Sequence, residues 1–337
     1  MRCPEKHETA SGQGLSRFAQ IHLLSVSHPM LFSRCLDYSF SRLMLGTVQF
    51  GLPYGVANQT GQPEYREVVA IVDAAVAGGI NCFDTAAAYG TSEEVLGRAL
   101  RELRVEEQVV VVTKVQALTS PELSDPVLAK STIVQSVERS RQRLQLDCLP
   151  IVLFHREADA AFMDLLAELQ ARKWLRHFGV SCDNRPGAAA KFVAAGSVSA
   201  LQLPANILDY RHERSGIFAT AVSRGVAIFI RSVYLQGLLA MPEESIPAVL
   251  RAIIPVRRTL ESIADDAGMP LLELALRYLL AQPEVTSILT GVETVSQIHD
   301  NLAMFSRGPL PEEILAAVHL AVPELSETLI TPSLWPS

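Results

Sequence analysis

The feature that most constrains this chain is a repeated alternation of short apolar runs with longer stretches of helical periodicity. Eight runs read as strands: Leu43–Thr47, Asn81–Asp84, Val109–Lys114, Pro150–His155, His177–Ser181, Ala200–Leu203, Ala227–Arg231 and Ser287–Thr290. Runs such as Val109-Val110-Val111-Val112 and Ile151-Val152-Leu153-Phe154 have no polar face, as parallel strands covered by helices require. Between the runs lie amphipathic segments. Residues 64–77 set Val68, Val69, Val72, Ala75 and Val76 on one face, and residues 92–103 do the same with Val95, Leu96, Ala99, Leu100 and Leu103. Residues 129–144 and 160–172 follow suit, and Ser92 with its acidic neighbours marks a helix start. Eight strands alternating with helices predict an α/β fold, a single-domain (β/α)8 TIM barrel. The rival doubly wound sheet needs a G-x-G-x-x-G fingerprint in its first βα turn, and none occurs.

Composition agrees. Of 337 residues 49% are hydrophobic and 19% charged, enough apolar material for a large core. A net charge of −7 argues against a nucleic-acid partner. Cys3, Cys35, Cys82, Cys148 and Cys182 form no C-x-x-C pair, so neither a disulfide framework nor a zinc site is expected, and a cytoplasmic location suits them. No apolar run is long enough to span a membrane. Residues 1–38 read as a poorly structured extension. Their short apolar piece, Ile21 to Val26, lacks a clean signal-peptide cleavage site, and Met30 lies near the expected true start. The barrel is expected over 39–310, with a helix and Pro-rich tail over 311–337.

The strand ends carry the functional information. They bear Asp84, Thr113-Lys114, His155, Ser181, Gln202 and Arg231-Ser232, and in a TIM barrel these ends converge on the face that holds the active site. Lys114 would be costly to bury unpaired, and Asp84 on the adjacent strand is its natural partner. The small residues after Asp84, Thr85-Ala86-Ala87-Ala88, let the chain fold back so that Tyr89 meets the Lys114 ammonium. A nearby cation is expected to lower the Tyr89 pKa, fitting the phenol to protonate a developing alkoxide, with His155 bonding the same oxygen. Each side chain, taken singly, also has a structural alternative: an ion pair, a cover over the mouth, a satisfied core histidine. Metal-dependent hydrolysis is disfavoured because the eight histidines show no H-x-H or H-x-x-x-H spacing, so no metal is expected. A Schiff-base lysine is disfavoured by the carboxylate beside it.

At these residues the chain resembles the aldo-keto reductase family. The matching stretches are Leu45-Gly46-Thr47 with Gly51; Phe83-Asp84-Thr85-Ala86, Tyr89-Gly90 and Ser92-Glu93; Thr113-Lys114; and Leu153-Phe154-His155. Phe178-Gly179-Val180-Ser181, Leu201-Gln202, Gln236-Gly237-Leu238-Leu239, and Gly291-Val292 with Gln297 and Asp300-Asn301 complete an ordered series from about residue 43 to 301. The resemblance implies a (β/α)8 barrel that binds NADPH or NADH and reduces an aldehyde or ketone, or oxidises the corresponding alcohol or sugar. It implies a catalytic tetrad at Asp84, Tyr89, Lys114 and His155. It implies cofactor contacts at Gly46, Thr47 and Gly237, at Ser181 and Gln202 (the carboxamide), at Arg231 and Ser232 (nicotinamide and pyrophosphate), and at Gln297 and Asn301 (the adenosine end).

Three positions depart from the commonest family pattern. Cys182 stands where many members have Asn, and Arg231 where many have an aromatic ring. The last βα loop, Gly291-Val292-Glu293-Thr294, offers a carboxylate rather than a cation for a ribose 2′-phosphate. A cofactor-binding regulatory subunit on the same fold is the alternative function. The expected partner is a small carbonyl or sugar substrate, with Phe50, Tyr54, Arg156 and Tyr210 as candidate pocket residues.

Overall fold

The computed structural model describes residues 29–55, 58 and 61–335. A hairpin, β1 (Phe32–Cys35) with β2 (Tyr38–Ser41), opens it. Each of the eight predicted runs then forms a strand: β3 (Leu43–Gly46), β4 (Cys82–Asp84), β5 (Val110–Val115), β6 (Leu149–Phe154), β7 (Leu175–Ser181), β8 (Ala200–Pro204), β9 (Ala227–Arg231) and β10 (Ser287–Gly291). These eight pair in parallel into a closed barrel that β10 completes against β3, Gly291 opposite Gly46. The predicted helices are present as Tyr65–Ala77, Ser92–Leu103, Pro126–Leu144 and Met163–Ala171. Asp125 caps the third, its carboxylate accepting from the Val127 and Leu128 amides.

Alternation along each strand builds two cores. Leu43, Leu45, Val111, Val152, Phe154, Ile228 and Ile230 join the helices in the outer core. Their neighbours Met44, Cys82, Val110, Val112, Ile151, Leu153, Ala200, Ala227 and Phe229 fill the barrel itself. The hairpin closes the floor. Phe40, wholly buried, meets Phe229 edge to face with ring centroids 5.4 Å apart, and Tyr38 lies 5.6 Å from Phe40.

The hairpin corrects one expectation. Residues 32–38 belong to a packed β-structure, not to an unstructured extension, because the open floor of the barrel supplies the apolar partner that Phe40 needs. The earlier part of the expected extension, residues 1–28 with the Ile21–Val26 piece, lies outside the described residues. After the barrel, the helix Glu312–Ala321 docks on the outer helices, where its His319 ring nitrogen lies 3.1 Å from the Tyr278 hydroxyl and the Tyr210 hydroxyl donates to the Val322 carbonyl just beyond it. Among the described residues no helix is long and apolar enough to cross a membrane.

Candidate active site

The site follows from the same alternation. Inward positions on β4 run Cys82, Asp84; on β5 Val110, Val112, Lys114; and on β6 Ile151, Leu153, then His155 just past the strand end. Each series is apolar at the floor and turns polar at the upper rim. On the far wall the inward series of β8 and β9, Ala200 to Gln202 and Phe229 to Arg231, do the same, and Ser181 of β7 lies in register with Gln202.

Lys114 is almost completely buried and donates to both Asp84 carboxylate oxygens at 2.7 Å, to the Thr85 carbonyl at 3.0 Å, and to the Tyr89 hydroxyl at 3.4 Å. Gln202 donates a further bond to Asp84 Oδ1 at 2.7 Å, and Ser181 donates to the Gln202 Oε1 at 3.3 Å. Burial pushes the Lys114 pKa down, but the Asp84 carboxylate and then Tyr89 more than offset this, leaving it raised. The ammonium therefore stays charged, which removes the Schiff-base reading.

Tyr89 is held by a contact between two glycines. A Cβ on Gly51 would lie 1.9 Å from the Tyr89 carbonyl oxygen, and one on Gly90, which adopts φ +55°, would lie 2.3 Å from the Gly51 carbonyl. Ser92 fastens the same turn by donating to the Thr47 carbonyl at 2.7 Å, and Thr47 donates through its amide and hydroxyl to the Asp84 carbonyl. The His155 ring meets Tyr89 edge to face, centroids 5.7 Å apart. Burial and the neighbouring cations Lys114, Arg231 and Arg156 depress the His155 pKa to about 3, so the imidazole is neutral. The expectation for Tyr89 needs correction. Its pKa is raised, because burial of the phenol outweighs the pull of Lys114 toward phenolate.

Above this group opens a cavity of about 550 Å³. Gly46, Thr47, Asp84, Tyr89, His155, Ser181, Gln202, Arg231, Ser232, Gly237, Gln297 and Asn301 all line it, so twelve of the thirteen residues expected at the site share one space. The thirteenth, Lys114, lies beneath its floor, reached through Asp84 and Tyr89. Arg231 donates to the Cys182 carbonyl at 2.9 Å and to Ser232 at 3.3 Å, which sets its charge toward β7. The loop that follows is held left-handed at Ser232, Leu235, Gln236 and Gly237, a backbone that non-glycine residues adopt only when their surroundings compel it. At the other end Thr294 and Gln297 form a capping box on the helix Val295–Ser306, with the Gln297 side-chain Oε1 accepting from the Glu293 amide at 2.6 Å. Asn301 accepts from the Tyr234 hydroxyl at 3.2 Å.

Of the four candidate pocket residues only Tyr54 lines the cavity, its hydroxyl accepting from Gln236 at 3.2 Å across the roof. Phe50 is spent in the core, Arg156 on Asp159 and the Leu118 carbonyl, and Tyr210 on the C-terminal segment. Sequence reasoning missed Gln49, Gln236, Tyr234 and Thr290 as lining residues. Gln49 Oε1 and Thr290 Oγ1 are buried without a hydrogen-bond partner, the latter on the outward face of β10 in register with Leu45. The one signal was a glutamine set between Val48 and Phe50 at the start of the first loop.

The aldo/keto reductase family model matches residues 42–321. Among curated relatives, an NADH-specific methylglyoxal reductase of Escherichia coli is 26% identical over 79% of this chain and 90% of its own length. A probable voltage-gated potassium channel beta subunit of Arabidopsis thaliana is 25% identical over 80% of this chain and 90% of its own. Among solved structures, a holo-form aldo-keto reductase of Bacillus halodurans superposes with a TM-score of 0.73 at 23% identity, covering 89% of this chain and 99% of that one. Matched from the first barrel strand to the helix beyond the last, this chain belongs to the aldo/keto reductase family.

Proposed function

We propose that the protein is an NAD(P)H-dependent carbonyl reductase in which Tyr89 is the general acid. Family membership supports NAD(P)H-dependent reduction of small carbonyl compounds in general. The particular assignment rests on one observation: the Tyr89 hydroxyl stands at the inner end of the cavity, 3.4 Å from an ammonium that is itself clamped by Asp84.

The lining suits a dinucleotide. Ser181 and Gln202 offer amide-compatible groups at the inner end, Arg231, Ser232 and the left-handed loop offer a charge and turned backbone midway, and a helix N-terminus closes the far end. Reduced nicotinamide, when bound, supplies the hydride. Tyr89 gives its proton to the carbonyl oxygen and is left as phenolate. Lys114 offsets that new charge without itself losing a proton, and Asp84 holds Lys114 in place. Neutral His155 is placed to donate a hydrogen bond to the same oxygen without competing as an acid.

The far end also bears on which nucleotide is taken. Glu293 and Asp300 line it, and among the described lining residues Arg231 is the sole Lys or Arg, turned toward β7. A 2′-phosphate would meet carboxylates there, so we read the site as favouring NADH. The name of the Escherichia coli relative agrees with this.

Titration of the purified protein with NADH and NADPH, read by quenching of Trp and Tyr emission, tests the cofactor reading. Turnover of an aldehyde panel by wild type and Tyr89→Phe tests the acid. A loss of about 10²- to 10⁴-fold in kcat with cofactor affinity kept is expected. Equal turnover by Tyr89→Phe refutes the assignment. Binding without turnover on any aldehyde favours a cofactor-binding regulatory subunit, the reading to which the channel-subunit relative points.

A further inference from the structure

We propose that Arg231 recognises an anionic group, a carboxylate or phosphate, carried by the carbonyl substrate, an inference that rests on the reductase reading above. Strand register aims the side chain. Phe229 of β9 fills the barrel interior, so Arg231, next on the same side, points inward at the rim, where it lines the cavity with Tyr89 and His155. Two bonds fix its guanidinium there, to the Cys182 carbonyl at 2.9 Å and to the Ser232 hydroxyl at 3.3 Å. The first anchor is firm, because Cys182 is fully buried and its own amide donates to the Gln202 carbonyl at 2.8 Å. A guanidinium has more N–H donors than these two bonds use.

What Arg231 lacks is an anion. Arg211, Arg257 and Arg277, also withdrawn from solvent, each hold a carboxylate at 3.0 Å or closer. Arg231 is half-buried, yet its bonds go to a carbonyl and a hydroxyl, and among the described residues no carboxylate pairs with it. Burial raises the pKa of the neighbouring Glu157 and Arg231 pulls it back, but Glu157 Oε1 accepts from the Asp183 amide at 2.8 Å instead of pairing. Asp84 is matched by Lys114, and His155 is held neutral by burial, then Lys114, then Arg231. The reacting end of the cavity therefore carries a positive charge that nothing in the protein offsets.

A cation taken partly out of water without a partner is costly, and a ligand that brings an anion removes the cost. The planar fork of a guanidinium matches carboxylate and phosphate alike, whereas a neutral aldehyde leaves it unpaired. The cofactor pyrophosphate is the competing source of negative charge. The bond to Cys182 favours the substrate, since it turns the guanidinium toward the end of β7, the neighbour of the strand that leads into His155.

Arg231→Gln in the full chain tests this, because glutamine keeps a donor for the Cys182 carbonyl and removes the charge. The readout is the ratio of kcat/KM within two pairs, 4-oxobutanoate against butanal and glyceraldehyde 3-phosphate against glyceraldehyde. Wild type is expected to prefer the anion of at least one pair by about 10- to 100-fold, and the variant to lose that preference. The pair that shows it identifies the group. Calorimetric titration with the matching alcohol, 4-hydroxybutanoate or glycerol 3-phosphate, reads the same contact without turnover, and its Kd is expected to rise by about the same factor in the variant. Should the variant not fold, raising NaCl from about 0.05 to 0.5 M takes its place, and the wild-type preference is expected to shrink as the charge is screened. A wild-type ratio near unity in both pairs overturns the inference and leaves the reductase reading standing. So does a variant that keeps the wild-type ratio, with a loss of NADH affinity then assigning the charge to the cofactor. Failure of wild type to bind NADH or NADPH overturns the reductase reading and this one with it.

Discussion

Gly51→Ala moves Tyr89 without altering any chemical group at the site. The new methyl would sit 1.9 Å from the Tyr89 carbonyl oxygen and 2.4 Å from the Ser92 amide, where real Cβ atoms essentially never come within 3.0 Å. The two chain segments must therefore part by at least about 1 Å. Gly51 follows Phe50, which is fully buried, so the yielding side is the loop that carries Tyr89. Overpacking of this kind costs about 1–3 kcal/mol, or a fall in Tm of about 2–6 °C for a chain of this size. A 1 Å misplacement of a reacting group costs on the order of 10²-fold in rate. The expected result is kcat/KM reduced about 100-fold for an aldehyde substrate, with the NADH Kd within about two-fold of wild type. Gly187→Ala is the control, since nothing lies within 4 Å of its added Cβ. Retention of kcat/KM within about three-fold, despite the lower Tm, would refute the claim that this glycine contact places the acid. A parallel loss of cofactor affinity would refute it too, by showing that the whole mouth had collapsed.

Two further outcomes follow from the electrostatics. His155 has a folded-state pKa depressed from 6.5 to about 3, so below about pH 6.5 the unfolded chain takes up a proton that the folded chain refuses. Stability should fall with pH there by up to about 1.4 kcal/mol per pH unit, and urea unfolding of His155→Gln should show that slope reduced. Glu293→Lys should improve NADPH binding about ten-fold relative to NADH, as one like charge gives way to an opposite one near the phosphate. An unchanged ratio in fluorescence titration would place the 2′-position elsewhere.

Legibility in the sequence was uneven for physical reasons. Barrel strands buried on both faces leave unbroken apolar runs, so all eight were readable, and period-two alternation carried their polar ends onto one rim. Asp84, Lys114 and His155 stood out because a polar or charged group at the end of an apolar run is expensive unless used or paired. The hairpin β1–β2 was not readable. Its turn places Leu36 at φ +56°, where glycine or asparagine is the usual signal, and its reason for folding, the open barrel floor, is a partner distant in sequence. Arg156 and Tyr210 looked like pocket residues because they follow strands, but Asp159 and the C-terminal segment claim them. Gln49 and Thr290 could not be singled out, since lacking a partner is a property of the folded chain alone.

The sign of the Tyr89 shift belongs with these, and it carries a consequence for the direction of catalysis. From the sequence only the cation beside the phenol was visible, and a cation alone favours phenolate. In the fold, burial outweighs Lys114 and lifts the pKa above the ordinary phenol range. At neutral pH Tyr89 is therefore fully protonated, the form that reduction consumes. Alcohol oxidation needs phenolate, whose share grows about ten-fold with each pH unit while the pH stays below the folded pKa. The expected result is kcat/KM for reduction nearly flat between about pH 6 and 8, while that for oxidation climbs close to ten-fold per unit with no plateau. An oxidation profile that levels off below about pH 8 would mean that Lys114 outweighs burial after all. Because Lys114 keeps its own proton, the slope reports the phenol, and it should vanish in Tyr89→Phe along with most of the rate.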